Sequence, residues 1–497
     1  MTPLVLCALL SPEIEVLLEE WDVAAARQAL ASRPRDERTA YLEGLVLLYR
    51  GEYQAAVDSM DASGRVDREP DGAMHRRIAA AAAEITGAFV REPSPAGHFE
   101  LRASPADKLL LPYAGEALEA ARQALFSELG FVAPERIPVD IYPRPDDLAR
   151  VSTLTADEIR NSGTIALCKW NRLMLVTPRA LLRGYAWMDS LVHEYVHYVV
   201  SRLTRNRVPI WLHEGIARRL EARYRLGPGE REPLPPAQAH LLFSALKANA
   251  LIPLARMHPS MAKLPTQRDT SLAFAQVQTL VEHLEERAGR SALRALLERI
   301  RDGEDAAVAV ENVVREPMER FLSSWRRALA ERARPTGPRP LELVFRDPDA
   351  KGDRVERDPT ATKEGRHERL GGLLRARGRV RAAAIEYEKA IGATRSPGPF
   401  LLAKTAQTHL EAGAAAPALG RARTALRFYP ELAGPNVTAG QAALALGDFA
   451  GARAFLLAAL RTSPFDARVH CGLQQVHEQA GDPEASRERD LCRQLAR

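Results

Sequence analysis

The sequence predicts an α+β chain that is mostly α, with a small sheet-bearing domain set between two stretches of helical repeats. Three observations carry this. Gly378, Gly413, Gly447 and Gly481 recur every 34 or 35 residues towards the C-terminus. Short alternating segments cluster between residues 98 and 177. Almost everything else repeats its apolar residues at helical spacing.

Composition bounds the classes. At 497 residues the chain is long enough for two to four domains of the usual ~100–200 residues. With 46% apolar and 27% charged residues it is not a disordered chain. No run approaches the ~18–20 apolar residues that cross a bilayer, so a membrane-spanning protein is excluded. Cys7, Cys168, Cys471 and Cys492 lie far apart, so neither a disulfide framework nor a cysteine zinc ribbon is expected. Of 69 basic residues only 8 are Lys, but the 64 acidic residues are interspersed with them. No basic block stands alone, so nucleic acid is not the expected partner. Residues 4–10 are apolar, with no Lys or Arg before them, and run through Ser11 and Pro12 into Glu13. That reads as a first helix rather than a secretory leader, which leans to the cytoplasm, with an exported form as the lesser alternative.

The expected organisation is a helical region over 1–92, a mixed domain over 93–333, a linker over 334–365 and helical repeats over 366–497. In the first region Trp21-Asp22 before Ala24 to Ala26 resembles Gly51-Glu52-Tyr53 before Ala55-Ala56, a worn pair of helix hairpins. In the mixed domain, residues 98–102 and 137–142 alternate and read as strands. Residues 114–129 read as a helix, and 164–169 with 172–177 as a hairpin about Trp170-Asn171. From Ala186 the pattern is helical almost to Arg334. Pro335, Pro338, Pro340, Pro348 and Pro359 mark the linker, with one extended piece at 341–345. In the last region Pro430 and Pro464 each follow a glycine by 17 residues, and Ala383 and Ala452 follow theirs by five. Glycine permits the tight turn between two helices, and alanine lets them approach. This period resembles the tetratricopeptide repeat, an architecture that binds protein partners or braces a neighbour.

The chemistry sits after the hairpin, at His193-Glu194-Tyr195-Val196-His197. On a helix, residues i and i+4 share a face, so both imidazoles can reach one metal ion. Glu194 is adjacent, free to contact water without ligating. With twelve His in the chain, chance supplies at most about 0.04 such matches. Seventeen residues past His197, Glu214 lies in a second helix that opens near Pro209, and a short return would bring it beside the histidines. Gly215 and Ala217 suit close packing of those two helices. Two His and one Glu with a fourth position open is the catalytic rather than the structural zinc pattern.

His193-Glu194-x-x-His197 followed by Trp211-Leu212-x-Glu214-Gly215-x-Ala217 resembles the gluzincin metallopeptidases. It looks most like bacterial peptidase MA-like proteins that carry tetratricopeptide repeats, over about residues 97–330. The aminopeptidase N family shares the second signature. The resemblance implies a zincin-like fold and a zinc metallopeptidase acting on peptide or protein. In it His193, His197 and Glu214 are the zinc ligands, and Glu194 is the general base. The alternative is a weak or inactive zinc-binding adaptor that uses its repeats for protein binding. One position departs from the pattern. The related families place a tyrosine ten residues before an apolar Leu to steady the oxyanion, and here Phe274 precedes Leu284. Loss of one such donor costs about 10²–10³ in rate. Tyr224, His240 or His283 could stand in.

Arg218, four after Glu214, is a candidate to hold that carboxylate or a substrate terminus. Tyr195 and Tyr198 read as packing residues and Cys168 as a small buried one. His213 is expected to face away from the site. An extended substrate is expected to add to an edge strand, either 172–177 or 164–169. No glycine-rich amine anchor precedes His193, and the sequence leaves exo- and endopeptidase both open.

Overall fold

The computed structural model describes residues 14–227, 229–332, 340–346 and 362–496. The apolar stretch 4–10, Cys7, Pro335, Pro338, Pro348 and Pro359 lie outside the described residues. The chain forms two compact units. One takes in the described parts of Met1–Thr177, Met188–Leu234 and Leu241–Arg334; the other takes in Pro178–Trp187, Pro235–His240 and the described parts of Pro335–Arg497.

The first unit opens with helices α1 (Ile14–Glu19), α2 (Val23–Ala31), α3 (Glu37–Tyr49), α4 (Tyr53–Ser63) and α5 (Gly72–Thr86). An Asp36–Thr39 capping box starts α3. Gly51, at φ 74°, turns the chain into α4 against the Arg102 guanidinium. Arg102 donates to the Gly51 carbonyl at 2.8 Å, and the Tyr53 hydroxyl donates to buried Asp140. The first hairpins are thereby tied to the sheet.

The sheet follows: β1 (Val90–Pro93), β2 (Phe99–Ala103), α6 (Leu110–Leu129), β3 (Ile137–Tyr142), α7 (Pro145–Arg150), α8 (Ala156–Ser162), β4 (Ala166–Lys169) and β5 (Arg172–Val176). Its order is β1-β2-β3-β5-β4, with β2, β3 and β5 parallel and the two outer strands antiparallel to their neighbours. Both segments expected as a hairpin are strands, but β5 is paired on both sides and only β4 is an edge. Trp170 and Asn171 both have positive φ, 53° and 61°, as a two-residue hairpin turn requires. Buried Trp170 accepts that conformation with the Lys169 ammonium 4.8 Å from its ring.

Seven helices follow: α9 (Trp187–Thr204), α10 (Ile210–Leu220), α11 (Pro236–Lys247), α12 (Gln267–Ala288), α13 (Ala292–Arg301), α14 (Ala306–Val314) and α15 (Met318–Glu331), of which the first residue of α9 and residues 236–240 of α11 count with the second unit. The helical run expected from Ala186 is broken over 248–266 into two short 3-10 turns, because Pro253, Pro259 and Pro265 deny the backbone its donors. Phe99 of β2 meets Tyr195 of α9 edge-on at 5.1 Å, and Tyr198 stacks on Trp21 at 6.3 Å. Both tyrosines are buried, as packing residues are. Gly215 of α10 does not serve the α9 contact expected of it. A Cβ there would stand 2.7 Å from the Val277 carbonyl oxygen, so it lets α10 lie on α12.

The second unit is built from helix pairs: α16 (Lys363–Ala376) with α17 (Val380–Gly392), α18 (Pro399–Glu411) with α19 (Ala415–Leu426), α20 (Ala433–Ala445) with α21 (Phe449–Leu460), and α22 (Ala467–Ala480) with α23 (Ala485–Leu495). Gly378, Gly413, Gly447 and Gly481 sit at the four intra-pair turns with φ between 68° and 78°. Ala383 and Ala452 are fully buried at the crossings. No disulfide framework is expected from cysteines so far apart in sequence, but one pair, Cys471 and Cys492, is bonded. They are 21 residues apart in sequence, but the last hairpin folds α23 back on α22. The unit also holds extended pieces of its own chain. Leu182 N–H donates to the Val344 carbonyl and Arg346 N–H to that of Ala180, each at 2.8 Å, so the piece at 341–345 pairs with 180–182. Trp187, which opens α9, donates from Nε1 to the Leu460 carbonyl at 3.1 Å.

Candidate metal centre

The stretch that becomes α9 is apolar on both sides of its polar trio, with Leu191, Val192, Val196, Val199 and Val200 all buried. The trio is thus carried on an interior helix. His193 and His197 stand one turn apart, their rings 4.6 Å centroid to centroid. Pro209 caps α10, which returns Glu214 to them. One carboxylate oxygen, Oε2 of Glu214, lies 3.1 Å from Nε2 of His193 and 3.3 Å from Nε2 of His197. The three donor atoms all fall within 4.8 Å of one another.

These residues fit a zinc ion. Tetrahedral ligands with bonds of ~2.0–2.1 Å stand about 3.3 Å apart, which is the spacing found from Glu214 to each histidine. The donor set of two imidazoles and one carboxylate is of the catalytic type. Nδ1 of His197 is buried without a hydrogen-bond partner.

Electrostatics agree with a site built for a cation. Burial opposes charge on Glu214, yet the two imidazoles hold its carboxyl far below the ordinary carboxylate range. Burial likewise opposes a charged His193, but bonds to Glu214 and Glu221 outweigh it and hold the imidazole up at about 10. Glu194 is buried, which raises its carboxyl pKa against the pull of the two histidines. The backbone N–H of Cys168, on β4, lowers it in turn. The edge strand therefore runs past Glu194. Burial raises the Cys168 thiol well above its usual value, so it is held neutral.

Two contacts were not read from the sequence. Glu221 Oε2 lies 2.9 Å from Nδ1 of His193, behind the ring. It is seven residues past Glu214, the same helix face, and the i, i+4, i+7 rule that placed the histidines also reaches it. His213 does not face away. Its ring lies parallel to that of His197 at 4.4 Å, with Nε2 3.2 Å from Ser201 Oγ, and burial pushes its pKa well below the usual histidine value.

Phe274 does lie at the site. Its ring meets His193 edge-on at 6.0 Å, and the Arg218 guanidinium carbon lies 5.9 Å from its centroid. Of the residues considered as stand-ins, Tyr224 donates its hydroxyl to Asp189 at 2.8 Å. His283 is engaged by Ser324 at 2.9 Å, between α12 and α15, and stacks on Phe321. His240 belongs to the other unit.

The family model described as the Peptidase MA superfamily matches residues 120–331. No curated protein matches the chain. Among solved structures, a thermophilic TPR protein of Thermus thermophilus is 27% identical over 27% of this chain and 74% of that chain, with a TM-score of 0.24. The Cut9–Hcn1 hetero-tetramer of the APC/C is 12% identical over 93% of this chain and 82% of that chain, with a TM-score of 0.22. Scores this low carry no weight for the fold, which rests on the helix pairs themselves. Residues 120–331 form a Peptidase MA-like domain, in a chain that also carries TPR-like helical repeats.

Proposed function

We propose that this chain is a zinc-dependent metallopeptidase. The observation that carries the reading is the single Glu214 oxygen standing 3.1 and 3.3 Å from the two histidine Nε2 atoms, with Glu194 between those histidines in sequence. The match of residues 120–331 to the Peptidase MA superfamily supports the same class.

His193, His197 and Glu214 would hold the metal. Zinc, when bound, supplies Lewis acidity that polarises a carbonyl and acidifies water. Glu194 takes the proton of the attacking water and delivers it to the leaving amine, so one carboxylate serves as base and then acid. Glu221 orients His193 from its Nδ1 side. The open edge of β4 offers main-chain groups to an extended peptide, which would then pass Glu194.

Two measurements test this. The purified chain should bind about one zinc per molecule, and His193→Ala should lose it. A peptide-library digest should show cleavage by the parent and none by Glu194→Gln with its zinc retained. Equal cleavage by both proteins sinks the role of Glu194. A second reading, a zinc-holding adaptor with little activity, is favoured by Phe274, which brings no hydroxyl to the site. Full zinc with no cleavage in the parent would select it.

A further inference from the structure

Arg218 lies one turn beyond Glu214 on α10, on the same helix face. Its Nη1 donates to Glu221 Oε1 at 2.5 Å, and the other oxygen of that carboxylate reaches His193. Its guanidinium carbon lies 5.9 Å from the centroid of Phe274, the ring that packs on His193. A carboxylate and a ring thus hold this cation beside the candidate metal centre.

What is left over on the guanidinium is informative. Nε is buried with no hydrogen-bond partner, and the bond from Nη1 is the side chain's only one among the described residues. Nε–H and Nη2–H point the same way, and this side-on fork matches the two oxygens of a carboxylate. The next residue, Arg219, also has an unpartnered nitrogen, but its side chain is only 8% exposed and is bonded to Glu285. The Arg218 side chain is 22% exposed although its Nε is not, so a ligand meets the accessible part of the guanidinium first and reaches Nε–H only as the side chain shifts to receive it. Because Glu221 already meets part of its charge, what remains is directional more than merely attractive.

We propose that Arg218 is a carboxylate receptor beside the metal centre. The substrate is then a peptide with a carboxylate a few residues from the bond that is cut, at its C-terminus or on an acidic side chain. Imidazole and guanidinium share both a ring and a carboxylate as neighbours, within reach of a few extended residues at about 3.3 Å each. The proposal rests on the metallopeptidase reading for where a substrate lies.

The test uses the full zinc-loaded chain in a Glu194→Gln background, so that binding is read without turnover. The probes are acetylated tri-alanine with a free C-terminal carboxylate, the same peptide as its carboxamide, and a carboxamide with one alanine replaced by glutamate. At least one acidic probe should bind about tenfold or more tighter than the neutral one. The C-terminal acid alone responding assigns the terminus, and the glutamate probe alone assigns a side chain. Arg218→Ala should bring the ratio close to one. Arg218→Lys should keep part of it, because an ammonium attracts but lacks the fork. Zinc content and circular dichroism identify any variant that has lost its fold, and Arg218→Gln then replaces it. A ratio near one for both acidic probes, a ratio that survives Arg218→Ala, or no binding up to millimolar peptide overturns the proposal. Hydrolysis is scored separately with Glu194 restored. Discrimination without cleavage fails the metallopeptidase reading and keeps the receptor; cleavage without discrimination does the reverse.

Discussion

Glu221 reaches Nδ1 of His193 from behind, so the nitrogen that faces the metal position is held by a carboxylate on the far side of the ring. Partners of this kind set ring orientation and basicity. Glu221→Gln should therefore weaken zinc binding about 10- to 100-fold, read by chelator competition, while leaving the count at one per chain. An unchanged affinity would show that packing alone orients the ring. Phe274 allows a gain-of-function test. Phe274→Tyr adds a hydroxyl beside His193, and kcat should rise by about tenfold or more, since a lost oxyanion donor costs about 10²–10³. A flat or lower kcat would mean that the hydroxyl points elsewhere. At this scale much was legible. The positions of His193, His197 and Glu214 follow from helical spacing and one return. The His213 stack was not legible, because it depends on the angle at which α10 meets α9, and no local periodicity encodes a crossing angle.

Among the elements, α10 is confined between its neighbours. Gly215 meets α12 with no room for a side chain, since a Cβ would touch both the Val277 carbonyl oxygen and Val281 at 2.7 Å. Gly215→Val should cost about 1–3 kcal/mol or more by overpacking, and because the next residue back is Glu214 it should also weaken zinc binding. Chemical denaturation with a metal titration checks both, and loss of stability with unchanged zinc affinity would separate the packing from the site. The sequence announced that a small residue was needed here, but assigned it to the wrong partner: glycine marks a close approach without saying from which side. The same limit applied to the sheet. Both strands of the 164–177 hairpin were legible from alternation, but which one is the edge depends on β5 pairing with β3, a long-range register. The 34-residue glycine period was legible because its cause is local, a positive φ at each turn.

For the molecule as a whole, stability should depend on pH through buried histidines. Burial lowers the pKa of His75, whose Nδ1 is 3.2 Å from the Tyr41 hydroxyl, and that of His283. In the unfolded chain each titrates near ~6.5. The folded state then binds fewer protons, so this contribution to stability is complete above about pH 6.5 and is lost as pH falls towards the lowered folded values. His193, held up at about 10, contributes with the opposite sign over this range, so the share of His75 is read by difference: between pH 7.5 and 5.5 the melting temperature of the parent should fall relative to that of His75→Gln. A parallel slope in the variant would remove His75 from the account. The Cys471–Cys492 bond was illegible for a reason of scale: 21 residues of separation become adjacency only once the last hairpin has closed.

The shortness of β4 has its own consequence. Four residues, Ala166–Lys169, give ~13 Å of edge strand whose inner side is already paired with β5. A chain can zip onto such a rim only if its own amides are unengaged, so a helical or sheet-bound stretch is refused until it unravels. Selection at this rim would thus fall on slackness before identity, favouring frayed ends and loose loops over well-folded surfaces.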